Sequence, residues 1–193
     1  MRILLVYCHP RPDSFAAALR DAAIEALRAG GHEVELRDLY AEDFRPAMDE
    51  AERGWHHTIG ENLGGIEDHV AALRRAEALL LVYPTWWYGM PAMLKGWFDR
   101  VWVPGVAWQL GDGVIQPCLT NIRRFGVITT YGSPLWLLWA LFWPDRRVLG
   151  GGLRRLCGPG CKMDWLYLTM MDTRPAADRA TFIAKVRARL SRW

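Results

Sequence analysis

The chain has 193 residues, 51% of them hydrophobic, which is enough for a sizeable core and excludes a disordered chain. Its 24 basic and 21 acidic residues leave a formal net charge of +3, a balanced surface that excludes a strongly basic nucleic-acid binder. The 11 tryptophans call for burial, an interface or a ligand, because large amphipathic rings are costly to leave in water.

Residues 3–7 (ILLVY) are a continuous, β-rich apolar run, which suits a strand covered on both faces. The opening stretch MRILLVYCHP has too short an apolar run for a signal peptide, which predicts a cytoplasmic protein. CHPRPDS follows, in which Asp13 or Ser14 can cap a helix whose apolar positions Phe15, Leu19, Ala23 and Leu27 recur at a helical period until Gly30–Gly31 stops it. HEVELRDL (32–39) alternates as a second strand, with Val34, Leu36 and Leu39 facing a core. Residues 40–65 have no clean period and read as a long excursion with one short helix. His56–His57 suggests a metal site with Glu52 or Glu61, but adjacent histidines point to different sides of a helix, which weighs against it.

IEDHVAALRRA (66–76) predicts a helix feeding a third buried strand, ALLLVYP (78–84). Trp86, Trp87 and Tyr88 then stand in a row in a loop. Beyond them Met90, Met93, Leu94, Trp97, Phe98 and Val101 form an amphipathic stripe, with Pro91 near the first helical position, so these later rings belong to the core. FGVITT (125–130) is a fourth strand and MDWLYLTMM (163–171) a fifth. RPAADRATFIAKVRARL (174–190) closes with a helix that buries Phe182, Ile183, Val186 and Leu190. PLWLLWALFW (134–143) carries no charge but falls far short of the ~20 residues that cross a bilayer. It is expected in the core or at a subunit interface, ahead of contact with a membrane surface, since no basic amphipathic pattern runs through it. CGPGC (157–161) has three residues between its cysteines where the redox dithiol motif has two, and reads as a turn. The pairs Arg74–Arg75, Arg123–Arg124, Arg146–Arg147 and Arg154–Arg155 read as solvated faces, with steering of an anionic cofactor as the alternative.

Strands alternating with helices predict one α/β domain over 1–193, a doubly wound parallel sheet of five strands in the order 2-1-3-4-5. Ligands bind such sheets beyond the carboxyl ends of the strands, where the order reverses. Three loops meet there. Residues 8–14 bring His9, Ser14 and a helix N-terminus suited to a phosphate. Residues 84–90 bring the aromatic triple, suited to a flat heteroaromatic ligand such as an isoalloxazine. Residues 129–134 bring Thr129, Thr130 and Gly132, with donors for the polar edge of that ligand. Helix capping alone, for the first loop, and cover for a core, for the second, are the competing explanations.

The stretches YCHPRPDSF, FRPAMDEAE, YPTWWYGMPAMLKGWFDRVW and ITTYGS together resemble the flavodoxin-like NAD(P)H:quinone oxidoreductases, the DT-diaphorase group and its bacterial relatives, over most of the chain. The resemblance implies a flavodoxin-like fold, FAD or FMN as cofactor, NAD(P)H as co-substrate, a quinone-like acceptor and a homodimer. It implies that His9, Ser14 and Phe15 bind the flavin phosphate and ribityl region, Pro84, Thr85, Trp86, Trp87 and Tyr88 the isoalloxazine, and Thr129, Thr130 and Gly132 its far edge, with Trp87, Tyr88 and Tyr131 beside the reacting atoms. Tyr131 stands where the family often has glycine, Ala16 where it has asparagine, and PLWLLWALFW lacks the tyrosine and histidine proposed to assist hydride transfer in eukaryotic members. Two other activities fit the same features: an ancillary flavin-binding subunit that gates a potassium efflux transporter, and an electron-carrier flavodoxin. The second lacks the hydroxyl-rich phosphate loop and strongly acidic surface of its class.

Overall fold

The structure is a computed structural model that describes residues 1–193. Its centre is a five-stranded, wholly parallel sheet in the order β2-β1-β3-β6-β7, formed by β1 (Arg2–Tyr7), β2 (Glu33–Asp38), β3 (Ala78–Pro84), β6 (Arg124–Thr130) and β7 (Lys162–Leu168). This is the 2-1-3-4-5 order expected from the alternation of strands and helices. The register runs straight across the middle of the sheet, with Leu5 opposite Leu80, Leu80 opposite Gly126 and Gly126 opposite Asp164.

Because strand side chains alternate between faces, the apolar runs fill two separate cores. Ile3, Leu5, Tyr7, Leu80, Val82 and Ile128 point to the face covered by α1 (Phe15–Ala29) and α7 (Ala176–Leu190), where Leu19, Ala23, Leu27, Phe182, Val186 and Leu190 meet them. Leu4, Val6, Leu79, Leu81, Phe125 and Val127 point the other way, onto α3 (Glu67–Arg75) and α4 (Ala92–Val101) with Leu73, Leu94, Trp97 and Val101. Phe15, the first residue of α1, is only partly buried.

Between β2 and α3 the chain makes the expected excursion with one short helix, α2 (Glu50–Trp55), closed by an Asp49–Glu52 capping box. The excursion is pinned across α4. Arg100, buried, donates to the Arg45 carbonyl and pairs with Glu52, and Pro46 lies directly on Gly96.

The structure departs from the sequence reading in three places. Leu36 is exposed, because β2 is the edge strand and presents one side to solvent. A hairpin of β4 (Trp108–Gly111) and β5 (Val114–Pro117) forms where the sequence shows no clean period; its turn residues Asp112 and Gly113 both have positive φ, the geometry that favours Asp-Gly. PLWLLWALFW is not a core helix: it yields α5 (Leu135–Ala140), of which only Leu138 is fully buried. CGPGC forms a turn in which the Cys161 amide donates to the Gly158 carbonyl at 3.0 Å and all four cysteines stay free. No helix is long and apolar enough to cross a membrane.

A Cβ on Gly96 would lie 2.2 Å from the Pro46 carbonyl oxygen, a backbone atom that cannot swing aside. Gly96→Ala is therefore expected to destabilise the fold by about 2 kcal/mol or more, the range for overpacking against rigid neighbours. Denaturant unfolding measures this, and an unchanged midpoint would show that the excursion is not pinned there.

Candidate active site

The sheet order reverses between β1 and β3, and a cleft of about 1180 Å³ opens at the carboxyl ends of β1, β3 and β6. Its walls are the three predicted loops, joined by Met171 and Asp172 after β7 and by Arg179 of α7. His9, Ser14, Phe15, Pro84, Thr85, Trp86, Trp87, Tyr88, Thr130, Tyr131 and Gly132 all line it. Thr129 does not: its side chain is fully buried behind Thr85, with the two hydroxyl oxygens 2.8 Å apart.

At the first loop Ser14 is the N-cap of α1, accepting from the Ala17 amide at 3.1 Å, and its hydroxyl also meets Tyr7 Oη at 3.2 Å. The amides of Phe15 and Ala16 precede the first intrahelical bond and have no carbonyl acceptor in the chain. Their partial positive charge faces the cleft together with Arg179, which no carboxylate of the chain engages. Arg11 lines the same end but is paired with Asp13. The paired arginines singled out in the sequence line other surfaces: Arg75 binds Glu35, Arg123 binds Glu77 and Arg124 faces Asp164. His9 accepts from the Arg11 amide at 3.0 Å and lies 6.2 Å, ring to ring, from Trp86.

The aromatic loop is a two-residue reversal. Trp86 and Gly89 exchange both backbone hydrogen bonds, at 3.1 and 3.0 Å, while Trp87 and Tyr88 adopt φ of +50° and +61°. Consecutive left-handed residues of this kind favour Asn-Gly and penalise bulky side chains. Trp87 is 97% exposed, so no core holds it in place, which rules out cover for a core as its explanation. The turn leaves the Trp87 and Tyr88 amides without acceptors in the chain, and Tyr88 Oη accepts from Ser133 Oγ at 3.3 Å, tying this loop to the next.

In the third loop the Gly132 and Ser133 amides are likewise free of intrachain acceptors. Tyr131 is not on the cleft surface as a side chain: its ring is 2% exposed, and its hydroxyl donates to Asp145 Oδ2 at 2.7 Å. Asp145 belongs to the single-turn α6 (Pro144–Arg146) and is itself buried; it also accepts from Thr85 Oγ1 at 3.3 Å and from the Arg146 amide at 2.8 Å. Burial pushes its carboxyl above the usual carboxylate range, while these hydrogen bonds pull the other way. Burial, with the Asp145 charge beside it, raises the Tyr131 phenol too. The chain Thr129–Thr85–Asp145–Tyr131 thus fastens the second and third loops from beneath.

Asp145 and Arg179 were not singled out in the sequence. Asp145 lies 60 positions from Thr85, and nothing local marks the pairing. His56 and His57 stack edge to face at 5.0 Å away from the cleft, and no group of three or more His, Cys, Asp or Glu side chains could hold a metal ion.

The parallel order and the cleft at its reversal define the flavodoxin-like class of α/β proteins. The sequence profile described as flavodoxin-like fold matches residues 1–138, and the chain belongs to that family. It is 39% identical over 113 residues to an uncharacterised NAD(P)H oxidoreductase of Escherichia coli strain K12, covering 58% of this chain and 57% of the relative. It is 32% identical over 181 residues to NAD(P)H dehydrogenase [quinone] 1 of Rattus norvegicus, covering 81% of this chain and 65% of the relative. The chain spans about half to two thirds of the length of these curated relatives. Among solved structures, an NAD(P)H:quinone oxidoreductase from Methanothermobacter marburgensis superposes with a TM-score of 0.84 at 26% identity, covering 99% of this chain and 98% of that one.

Two substitutions test the geometry. Trp87→Asn replaces an exposed, left-handed tryptophan with a residue that tolerates this conformation, and is expected to raise stability by about 1 kcal/mol; a lowered thermal midpoint would show that the ring holds the loop together. For Asp145, the folded chain keeps its proton to a higher pH than the unfolded chain, so the stability present below the unfolded pKa is lost as pH rises through the folded one. The stability of the wild type relative to Asp145→Asn should accordingly fall as pH is raised from about 4. A pH-independent difference would mean that burial does not control this carboxyl.

Proposed function

We propose that the protein is a flavin-dependent NAD(P)H:quinone oxidoreductase that works by ping-pong hydride transfer. The observation that carries this is the cleft's two-ended character. One end offers helix-terminal amides and a free Arg179; the other is rimmed by Trp86, Trp87 and Tyr88 with unpaired amides from two loops. A flat heteroaromatic group with an anionic tail matches both ends, and the residues present fit a flavin nucleotide, FMN or FAD. The names of the relatives, oxidoreductases of NAD(P)H and in two cases of quinones, support the same reading.

When bound, a flavin supplies the two-electron chemistry, accepting hydride from NAD(P)H and passing it to a quinone. The remaining work falls to this chain. The Phe15 and Ala16 amides, His9, Ser14 and Arg179 hold the phosphate end. The turn of residues 86–89 presents its rings and amides to the flat ring system, and Thr130, Gly132 and Ser133 offer donors where negative charge grows on reduction. These donors are fixed before reaction, so reorienting them adds no cost to the chemical step. Tyr131, with its hydroxyl committed to Asp145, acts as a positioning residue, and Thr129 supports Thr85 from behind.

The resemblance also favours a homodimer whose second copy completes each cleft; the exposed Leu110 and Ile115, opposite each other in the hairpin, offer an apolar face for that contact.

The test is the visible absorption spectrum of the flavin-reconstituted protein, recorded anaerobically before and after NADH or NADPH. Retained flavin that bleaches, and recovers its colour on adding a quinone, is the expected result. Retained flavin that does not bleach would remove the reductase activity, and absence of bound flavin would remove the cofactor assignment. Trp87→Ala should weaken flavin binding by about 3- to 10-fold, the worth of one aromatic stacking contact.

A further inference from the structure

The turn at residues 157–161 precedes the amino end of β7, the opposite end of the sheet from the cleft, and it brings two cysteines together. Pro159 and Gly160 are its central residues. The Cys161 amide donates to the Gly158 carbonyl at 3.0 Å and Gly160 has φ of +74°, a reversal of the type II kind in which proline presets the first corner and glycine permits the second. Two further backbone bonds fasten it to the segment after the hairpin, from the Leu119 amide to the Leu156 carbonyl at 3.1 Å and from the Gly158 amide to the Ile122 carbonyl at 3.2 Å. A Cβ on Gly158 would lie 2.7 Å from the Thr120 carbonyl oxygen, so only glycine lets the turn seat there. Cys157 and Cys161, both buried, are thereby held facing each other, and the Cys157 thiol donates to the Cys161 sulfur. Arg154 stands beside both sulfurs, its Nη1 donating to the Cys161 carbonyl at 2.6 Å and its Nε to the Gly150 carbonyl at 3.2 Å.

We propose that Cys157 and Cys161 are a redox-active dithiol, a site at which hydrogen peroxide closes a reversible intrachain disulfide. The spacing is one residue longer than that of the redox dithiol motif, and the turn makes up the difference by folding the chain back. The two thiols take different roles. Cys161, accepting from Cys157 and lying beside the Arg154 charge, gives up its proton more readily than an ordinary cysteine, whereas that same hydrogen bond and burial make Cys157 keep its own. The Cys161 thiolate attacks one peroxide oxygen, the O–O bond breaks, and the departing hydroxide takes up a proton to leave as water. Cys161 is then a sulfenic acid. The Cys157 sulfur attacks the Cys161 sulfur, the S–O bond breaks, and the Cys157 proton leaves with the hydroxide as a second water. Two thiols have lost two electrons and one peroxide has gained them. Burial restricts the reaction to a small, uncharged oxidant. Core filling alone accounts neither for the contact between the sulfurs nor for the guanidinium beside them.

The experiment treats the purified, reduced full chain with hydrogen peroxide, alkylates the remaining thiols after denaturation and maps the tryptic peptides by mass. Cleavage after Arg155 and Lys162 puts both cysteines in the single peptide 156–162. That peptide is expected unalkylated and lighter by two hydrogens, and doubly alkylated again after dithiothreitol. The variants separate the roles. In Cys157→Ser, dimedone should trap Cys161 as the sulfenic acid, whereas in Cys161→Ser the remaining Cys157 should stay alkylatable. Arg154→Gln should slow oxidation near neutral pH by about 3- to 10-fold and move its rise to higher pH, the effect of one charge on thiol acidity. Arg154→Lys, which keeps the charge, should restore the rate, so a loss through misfolding is distinguished from a loss of charge. Double alkylation that persists after peroxide, linkage of either cysteine to Cys118, or an unchanged rate in Arg154→Gln overturns the inference. The bleaching of bound flavin tests the proposed reductase alone, since the dithiol lies at the other end of the sheet.

Discussion

The structure depends on one constraint, the placing of β1 between β2 and β3 in a wholly parallel sheet. Parallel neighbours require crossovers, and right-handed crossovers that run in opposite directions along the sheet, from β1 to β2 and from β2 back past β1 to β3, must cover opposite faces. α1 therefore lies on one face and α3 on the other, and nothing of the main chain fills the crevice between the loops that leave β1 and β3. The cleft is a consequence of strand order. What the loops contribute is its chemistry, through helix-terminal amides on one side and an aromatic turn on the other.

Much of this was legible because burial on both faces writes a strong signal. ILLVY, ALLLVYP and FGVITT are continuous apolar runs that only a covered parallel sheet accommodates, and their order follows from the helices between them. Leu36 misled because an edge strand keeps the alternation of a buried one while exposing one side. The hairpin left a mark, Asp112–Gly113, but its strands are short and mostly exposed, so no period accompanies the turn. For PLWLLWALFW the core alternative gives way for a different reason. Hydropathy reports how costly exposure is, not which side of a short helix meets a core, and in α5 only Leu138 does.

The loops of the cleft were legible and its supports were not. Thr85, Tyr131 and Trp86 stand next to strands whose register could be read, whereas Asp145 reaches Thr85 from 60 positions away through a single turn of helix. A lone aspartate in an apolar segment resembles a solubilising charge until the structure shows it taking hydroxyl donors from two loops. The Tyr131 side chain is buried with its hydroxyl on Asp145, so this tyrosine supports the site from beneath.

The distribution of backbone strain carries the argument one step further. Residues with positive φ other than glycine include Trp87, Tyr88, Phe142, Trp143 and Met170, and all five lie in loops leaving the carboxyl ends of β3, β6 and β7. Each such bulky residue costs on the order of 1–2 kcal/mol, against a net stability of about 5–15 kcal/mol for a typical domain. A sequence optimised for stability alone would place asparagine or glycine there. The strain persists because two dry cores, one on each face of the sheet, hold the strand ends rigidly enough to dictate the loops between them. In return the left-handed turn at Trp87 and Tyr88 frees their amides and places the Trp87 ring in water at the cleft. Burial in the sheet thus provides the stability, and the loops at one edge lose part of it to present surfaces suited to ligands.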